Sequence, residues 1–224
     1  KFKSKRIFDT PNSEQAETMF ALGASLNGKL RPVLIHHRVD FMAYSFDQLI
    51  NWISLWSFKS SRKSYAPLVI RAIIGRGWGQ GPTHSQNLQS WFNHIPGLKV
   101  VTPSFADEAK SLLVSSILDP NPVIFLENEV LYGQSFDVPD HDDWIAQIGK
   151  AKILREGSDV TIVAFSIMVG RAIEAADRLA EQGISAEVID LRTLRPFDSE
   201  TVINSVKKTS RLVTCEEGFP FAGI

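Results

Sequence analysis

The sequence predicts an α/β protein, and three observations carry that expectation. Short β-branched runs alternate with stretches of helical periodicity through most of the 224 residues. The strand candidates are continuous apolar runs rather than in-and-out alternations, as expected of strands covered on both faces of a parallel sheet. Finally, 44% of residues are hydrophobic and 22% charged, a composition able to bury a sizeable core. Right-handed crossovers follow from the alternation of strand and helix.

The elements can be taken in chain order. Lys1, Lys3, Lys5 and Arg6 make a short basic start that reads as a solvated terminus. In TPNSEQAETMFALGASLNG, Ser13 is placed to cap a helix whose first turn opens with Glu14. Ala16, Met19, Phe20, Gly23 and Leu26 would form its buried face. Strands are expected at 31–37, 66–74, 98–103 and 122–127. Between them, Leu88, Trp91 and Phe92 share one helical face, and Ala109, Leu112, Leu113, Ser116 and Ile117 another. A polar, Pro/Asp-rich stretch near 134–158 marks a boundary and ends in a short extended excursion and a turn. The pattern then restarts with strands at 159–165, 185–191 and 210–216. Val169, Ile173, Ala176 and Ala180 lie on one helix face and Gly183 is its natural C-cap. The chain is therefore expected to form two units, 1–137 and 138–224, the second stopping just after a strand and read as incomplete.

Charge and composition exclude several roles. Twenty-four basic against 25 acidic residues leave a net charge of −1, so no global field favours nucleic acid. No apolar segment approaches the ~18–20 residues of a membrane span. The single Cys215 rules out a disulfide framework within the chain and fits a reducing compartment; it reads as a small strand residue. The chain opens without Met and shows no signal-peptide pattern, which leaves a lost leader open.

The stretch GRGWGQGPTHSQ, residues 75–86, resembles a phosphate cradle at first sight, yet its spacing fails that test. Glycines at 75, 77, 79 and 81 put Gln80 where a dinucleotide fingerprint needs its third glycine, and Pro82 follows. No Gly-Lys-Ser/Thr completes a P-loop either. What remains is a loop after a buried strand, where open α/β sheets place ligands, presenting His84. His84 is expected at or just before a helix N-terminus, where the dipole favours the neutral imidazole; a surface histidine bonded to its own turn is the alternative. Glu14, likewise, is a dipole-stabilised capping residue on local physics alone.

Six blocks, RIFDTPNSE, GLKVVTPSFADEAKSLL, NPVIFLENEVLYG, IGKAKILREGSDVTIVAFS, AEVIDLRTLRPFD and SVKKTSRLVTCEEG, together resemble the β subunit of the thiamine-diphosphate-dependent 2-oxo acid dehydrogenases. The pyruvate dehydrogenase type is the nearest in pattern. The resemblance implies a parallel-sheet pyrimidine-binding domain followed by a partial transketolase C-terminal-like domain. It assigns Glu14 to N1′ of the cofactor's aminopyrimidine, where a carboxyl exchanging a proton promotes formation of the carbanion nucleophile. It assigns His84 to positioning the substrate or the lipoyl group, and Phe41 to stacking on the pyrimidine, with core packing as Phe41's alternative. Backbone carbonyls around Leu68, Ser116, Asp119 and Asn121 match a structural K⁺ site. No Gly-Asp-Gly motif for Mg²⁺ and diphosphate occurs, which implies that an α subunit supplies it in an α2β2 assembly. The implied activity is decarboxylation of a small 2-oxo acid and acylation of the lipoyl group of a dihydrolipoyl acyltransferase. A bacterial cytoplasm is the expected location, with the mitochondrial matrix as the alternative.

The chain also departs from that pattern. Glu17 stands one turn from Glu14, where like-charge repulsion would raise a carboxyl pKa if the two faced each other. Lys29 reads as a loop insertion, and WSFKSSRKSYAP replaces a segment that is usually apolar. HHRVDFM and the glycine loop look like a less familiar branch. A ketol-transferring transketolase-like subunit and a non-catalytic assembly module therefore stay open as alternatives.

Overall fold

The computed structural model describes residues 6–140 and 145–224; Lys1, Lys3 and Lys5 of the basic start, and 141–144 of the expected boundary, lie outside them. Helix α1 (Glu14–Ser25) leads into strand β1 (Val33–His36) through a turn in which Asn27 Oδ1 accepts the Lys29 and Leu30 N–H groups. The Lys29 insertion is thus absorbed in a loop. A helical stretch follows: α2 (Val39–Met42), a 3₁₀ turn at Ala43–Ser45, a π turn at Gln48–Ile53 and α3 (Trp56–Lys59). Strand β2 (Val69–Ile74), α4 (Gln89–His94), β3 (Lys99–Val101), α5 (Ala106–Leu118) and β4 (Val123–Asn128) complete the first segment, with a closing 3₁₀ turn at Glu129–Gly133. Then come β5 (Lys152–Arg155), β6 (Val160–Ala164), α6 (Ile167–Ala180), β7 (Ala186–Asp190), β8 (Thr193–Arg195), α7 (Ser199–Thr209) and β9 (Leu212–Cys215).

The strands form a five-stranded sheet, ordered β1-β2-β4-β3-β8, and a four-stranded sheet, ordered β5-β7-β6-β9. Neither is purely parallel. The pairs β3–β8 and β5–β7 are antiparallel; β5 lies in the short extended excursion expected before residue 158, whereas β8 is too short to announce itself by periodicity. Burial on both faces holds for β4 and β7, every residue of which is buried, but not for the edges: Ile35 of β1 and Leu212 and Val213 of β9 are exposed. Strand β8 crosses from the second half of the chain to pair with β3, Val100 opposite Arg195 and Val101 opposite Thr193. One hydrophobic core accordingly joins Leu22, Met42, Ile70 and Leu126 with Phe165, Ile189, Leu191 and Leu194. Each such fully buried large side chain contributes about 1.5–3 kcal/mol of transfer free energy.

Two helix expectations need correction. The buried face of α1 is Thr18, Ala21, Leu22 and Ser25; Ala16 and Gly23 are exposed and Phe20 stands out on the other side, edge-on to Phe8 at 6.2 Å. Thr18 and Ser25 can be buried because their hydroxyls are bonded inside: Ser25 Oγ donates to the Leu22 carbonyl at 2.7 Å. Ser13 occupies the N-cap position, but its side chain makes no capping bond; its carbonyl accepts the Glu17 N–H at 2.9 Å. In α6 the buried line is Val169, Ala172 and Ala176, with Ile173 half-buried and Ala180 exposed. Gly183 does terminate that helix: at φ +76° its N–H reaches Ala180 O while Ile184 N–H reaches Leu179 O, the paired bonds of a Schellman end.

Candidate active site

Parallel pairing sets His36 of β1 beside Ala72 of β2, so the segments leaving both strands emerge together at the C-terminal edge of the first sheet. One is 38–41, the other the glycine loop. Gly75 sits at φ +107°, and a Cβ there would overlap the side-chain amide of Asn128, so only glycine lets the loop leave β2 this close to β4. Gly77, Gly79 and Gly81 repeat the positive φ in open space, a backbone alternation that explains the glycine spacing without any phosphate. The loop is closed by Gly75 N–H donating to Gln86 O at 3.2 Å and braced by Ser85 Oγ donating to Gly81 O at 2.7 Å.

His84 does not lie at a helix N-terminus: α4 begins at Gln89, with Leu88 as its N-cap. Trp91, expected to be buried beside Leu88 and Phe92, is half-exposed and meets Phe46 edge-on at 5.4 Å. The partner of His84 is instead a carboxylate. Its Nδ1 lies 2.9 Å from Asp40 Oδ2, whose side chain is 8% exposed, and its ring meets Phe41 with centroids 5.3 Å apart. An Nδ1–H donated to Asp40 holds the imidazole in one tautomer and leaves Nε2, which makes no hydrogen bond among the described residues, to face a reactant. Arg38, on the same segment, lies over the Trp78 ring at 4.3 Å, and Trp78 Nε1 donates to Gly75 O at 3.0 Å.

Glu14 reaches this segment through its backbone. Ser45 Oγ donates to Glu14 O at 2.7 Å, Thr18 Oγ1 donates to Ser45 Oγ at 2.9 Å, and His36 Nε2 lies 3.1 Å from Thr18 Oγ1. The half-buried Glu14 carboxylate makes no hydrogen bond or ion pair among the described residues, though its charge acts on His36. Glu17 accepts from Thr10 Oγ1 at 2.6 Å and lies 3.1 Å from Nδ1 of the buried His36. Burial holds the His36 pKa below its ordinary value, with the Glu17 charge opposing.

The residues assigned to a cation lie at the opposite, N-terminal edge of the sheet. Leu68 precedes β2 and its carbonyl accepts Val123 N–H at 3.0 Å; Asn121 precedes β4 and donates its N–H to Asp119 Oδ1 at 2.8 Å. Ser116 Oγ donates to Leu112 O at 2.6 Å, inside its own helix. Arg31 Nη1 donates to the carbonyls of Ile117 at 2.7 Å and Asp119 at 3.0 Å, and Lys99 pairs with the Asp119 carboxylate, so this corner carries protein cations already.

Comparison with known proteins gives the family of the chain. The transketolase pyrimidine-binding domain family matches residues 1–134 and the transketolase C-terminal domain family residues 149–224. The chain is 47% identical over 223 residues to the pyruvate dehydrogenase E1 component subunit beta of Rickettsia felis, covering 100% of this chain and 68% of that one. The chain belongs to the pyruvate dehydrogenase E1 beta-subunit family. The same family includes the Rhizobium meliloti subunit, 48% identical with 48% of its length covered, and a mitochondrial one from Arabidopsis thaliana, 47% identical with 62% covered. The chain thus spans between about half and two thirds of these relatives. Among solved structures, a split-gene transketolase described as an inactive beta4 tetramer superposes with TM-score 0.81 at 27% identity, covering 96% of this chain and 66% of that one. Beta-subunit relatives occur in bacteria and mitochondria, and no described helix is long and apolar enough to cross a membrane.

Sequence reasoning missed Asp40, Arg38 and His36. Asp40 stood next to Phe41 in a segment leaving a strand at the ligand-binding edge, and that position was its available signal.

Proposed function

We propose that this chain is the β subunit of a thiamine-diphosphate-dependent 2-oxo acid dehydrogenase, with pyruvate or a related acid as substrate. The observation that carries the reading is the Asp40–His84–Phe41 cluster at the sheet edge, with the Glu14 carboxylate making no hydrogen bond or ion pair among the described residues. Those residues fit the cofactor's aminopyrimidine: a carboxyl for a ring nitrogen, an aromatic face for the ring. When bound, thiamine diphosphate supplies the carbon nucleophile and electron sink. Glu14 holds a proton at the aminopyrimidine N1′, and Asp40 orients His84. His84 Nε2 in turn donates to or accepts from the substrate or the lipoyl group. Mg²⁺ and the diphosphate fall to an α subunit in an α2β2 assembly, which acylates a dihydrolipoyl acyltransferase. Any K⁺ at Leu68, Ser116, Asp119 and Asn121 has a structural role, since that corner lies at the sheet's far edge. The units 1–137 and 138–224 correspond to pyrimidine-binding and C-terminal parts. A bacterial cytoplasm suits the single half-buried cysteine, and a mitochondrial matrix suits it equally.

The test is co-expression with the cognate α subunit, followed by thiamine diphosphate binding and 2-oxo acid decarboxylation assays. Glu14→Gln is expected to lower turnover by about 100-fold or more while leaving the assembly intact; full activity would remove the N1′ role. The likeness to a split-gene transketolase favours ketol transfer as the second reading. Turnover of a ketose donor with no 2-oxo acid activity would establish it.

A further inference from the structure

Arg38 has a chemistry that the cluster beside it does not use. Its guanidinium lies 4.3 Å over Trp78, an indole fixed by its own hydrogen bond to Gly75 O. It forms no ion pair among the described residues. The carboxylates bonded to these two segments are already engaged, Asp40 by His84 and Glu217 by Arg76 at 3.5 Å and Asn128 at 2.9 Å. Arg38 and Phe41 both meet the glycine loop, the first at Trp78 and the second at His84, so the unpaired cation faces the loop that presents the imidazole. A Cβ added at Gly77, Gly79 or Gly81 would meet nothing within 4 Å. A guanidinium stacked on an indole keeps its N–H edge in plane for an oxyanion, and the stacking removes the rotamer freedom it would otherwise lose on binding.

We propose that Arg38 determines specificity by receiving an anionic group, carboxylate or phosphate, carried on the side chain of the substrate. The proposal rests on the decarboxylase reading above. The departing C1 carboxylate is a poor candidate for this role. Its charge moves to carbon as CO₂ leaves, so a charge-assisted bond there would stabilise the ground state more than the transition state. A second anion that stays on the acyl group keeps its charge throughout, and pairing with it fixes the substrate without opposing the reaction. The substrate class is therefore a 2-oxo acid with a distal acidic group.

The assembled α/β complex decides this with two five-carbon probes that differ only at the far end, 2-oxoglutarate and 2-oxovalerate, and with pyruvate as a third. A phosphorylated 2-oxo acid of similar length separates carboxylate from phosphate recognition. The expected result is a higher kcat/KM for an acidic probe than for 2-oxovalerate. Arg38→Gln should reduce that ratio by about 10- to 100-fold, mainly through KM, and Arg38→Lys should restore part of it. Equal losses on acidic and neutral probes would assign Arg38 to packing or to the partner subunit, and weaker α/β assembly in Arg38→Gln would point to the partner; either overturns the proposal. Turnover of pyruvate and 2-oxovalerate without preference for an acidic probe overturns it while leaving the decarboxylase reading in place. Turnover of no 2-oxo acid overturns both.

Discussion

At the residue scale, the hydroxyl chain behind Glu14 has only one possible direction. A carbonyl can only accept, so Ser45 spends its single proton on Glu14 O. Thr18 must then donate to Ser45, and His36 Nε2 must donate to Thr18. That leaves Nδ1 facing Glu17 Oε1 at 3.1 Å. Both the Glu17 and the Glu14 charges act on this one imidazole. Thr18→Val preserves shape but strands two buried polar partners, and should cost about 1–3 kcal/mol in urea unfolding. Glu17→Gln keeps a hydrogen-bonding partner for His36 and should cost less. None of this was legible in the sequence, because a hydrophobicity pattern counts Thr18 and Ser25 as polar and therefore outside. Glu14 and His84 were legible as candidates; the pairing of Asp40 with His84 was not, since it spans 44 positions and shows only in space.

At the scale of elements, regular pieces were readable and irregular ones were not. The buried strands β2, β4, β6 and β7 follow their apolar runs, and Gly183 ends α6 where expected. The stretch from Val39 to Lys59 mixes α, 3₁₀ and π turns, so no single period survives in it. The glycine loop gives a sharp contrast at this scale. Gly75→Ala meets both a positive φ and the Asn128 amide, and should lower stability by about 1–3 kcal/mol and disturb His84. Gly79→Ala meets only the φ penalty, so its thermal shift should be smaller. Between α5 and β7, Asp190 is fully buried beside Glu108, and burial together with that charge pushes its pKa well above the ordinary value. The sign follows directly. The unfolded chain releases this proton near its usual pKa while the folded chain retains it, so stability falls as pH rises between the two values. The Lys152 and Arg192 side chains offset Glu108 at 3.2 and 3.8 Å, while the Arg192 backbone N–H donates to Asp190 Oδ1 at 3.0 Å. Asp190→Asn should therefore stabilise the protein more at pH 8 than at pH 4, as read from denaturation midpoints.

For the whole molecule, β1 to β4 before residues 134–158 and β8 after them share one sheet, and the core is not divided there either. Phe165, Leu191 and Leu194 pack into the same cluster as Leu22 and Ile70. Thermal unfolding should consequently show coincident transitions by far-ultraviolet circular dichroism and tryptophan fluorescence, the five tryptophans all lying before residue 145. Two separated transitions would show that the second half melts alone. The crossing of β8 also has a meaning in time. Strand β3 ends at Val101 and waits for a partner that begins at Thr193. At about 5–20 residues per second, a ribosome needs roughly 5–18 seconds to deliver it. Through that interval the nascent first sheet has β3 as an open edge, so Val100 and Val101 are where a chaperone or a misplaced strand would bind during synthesis.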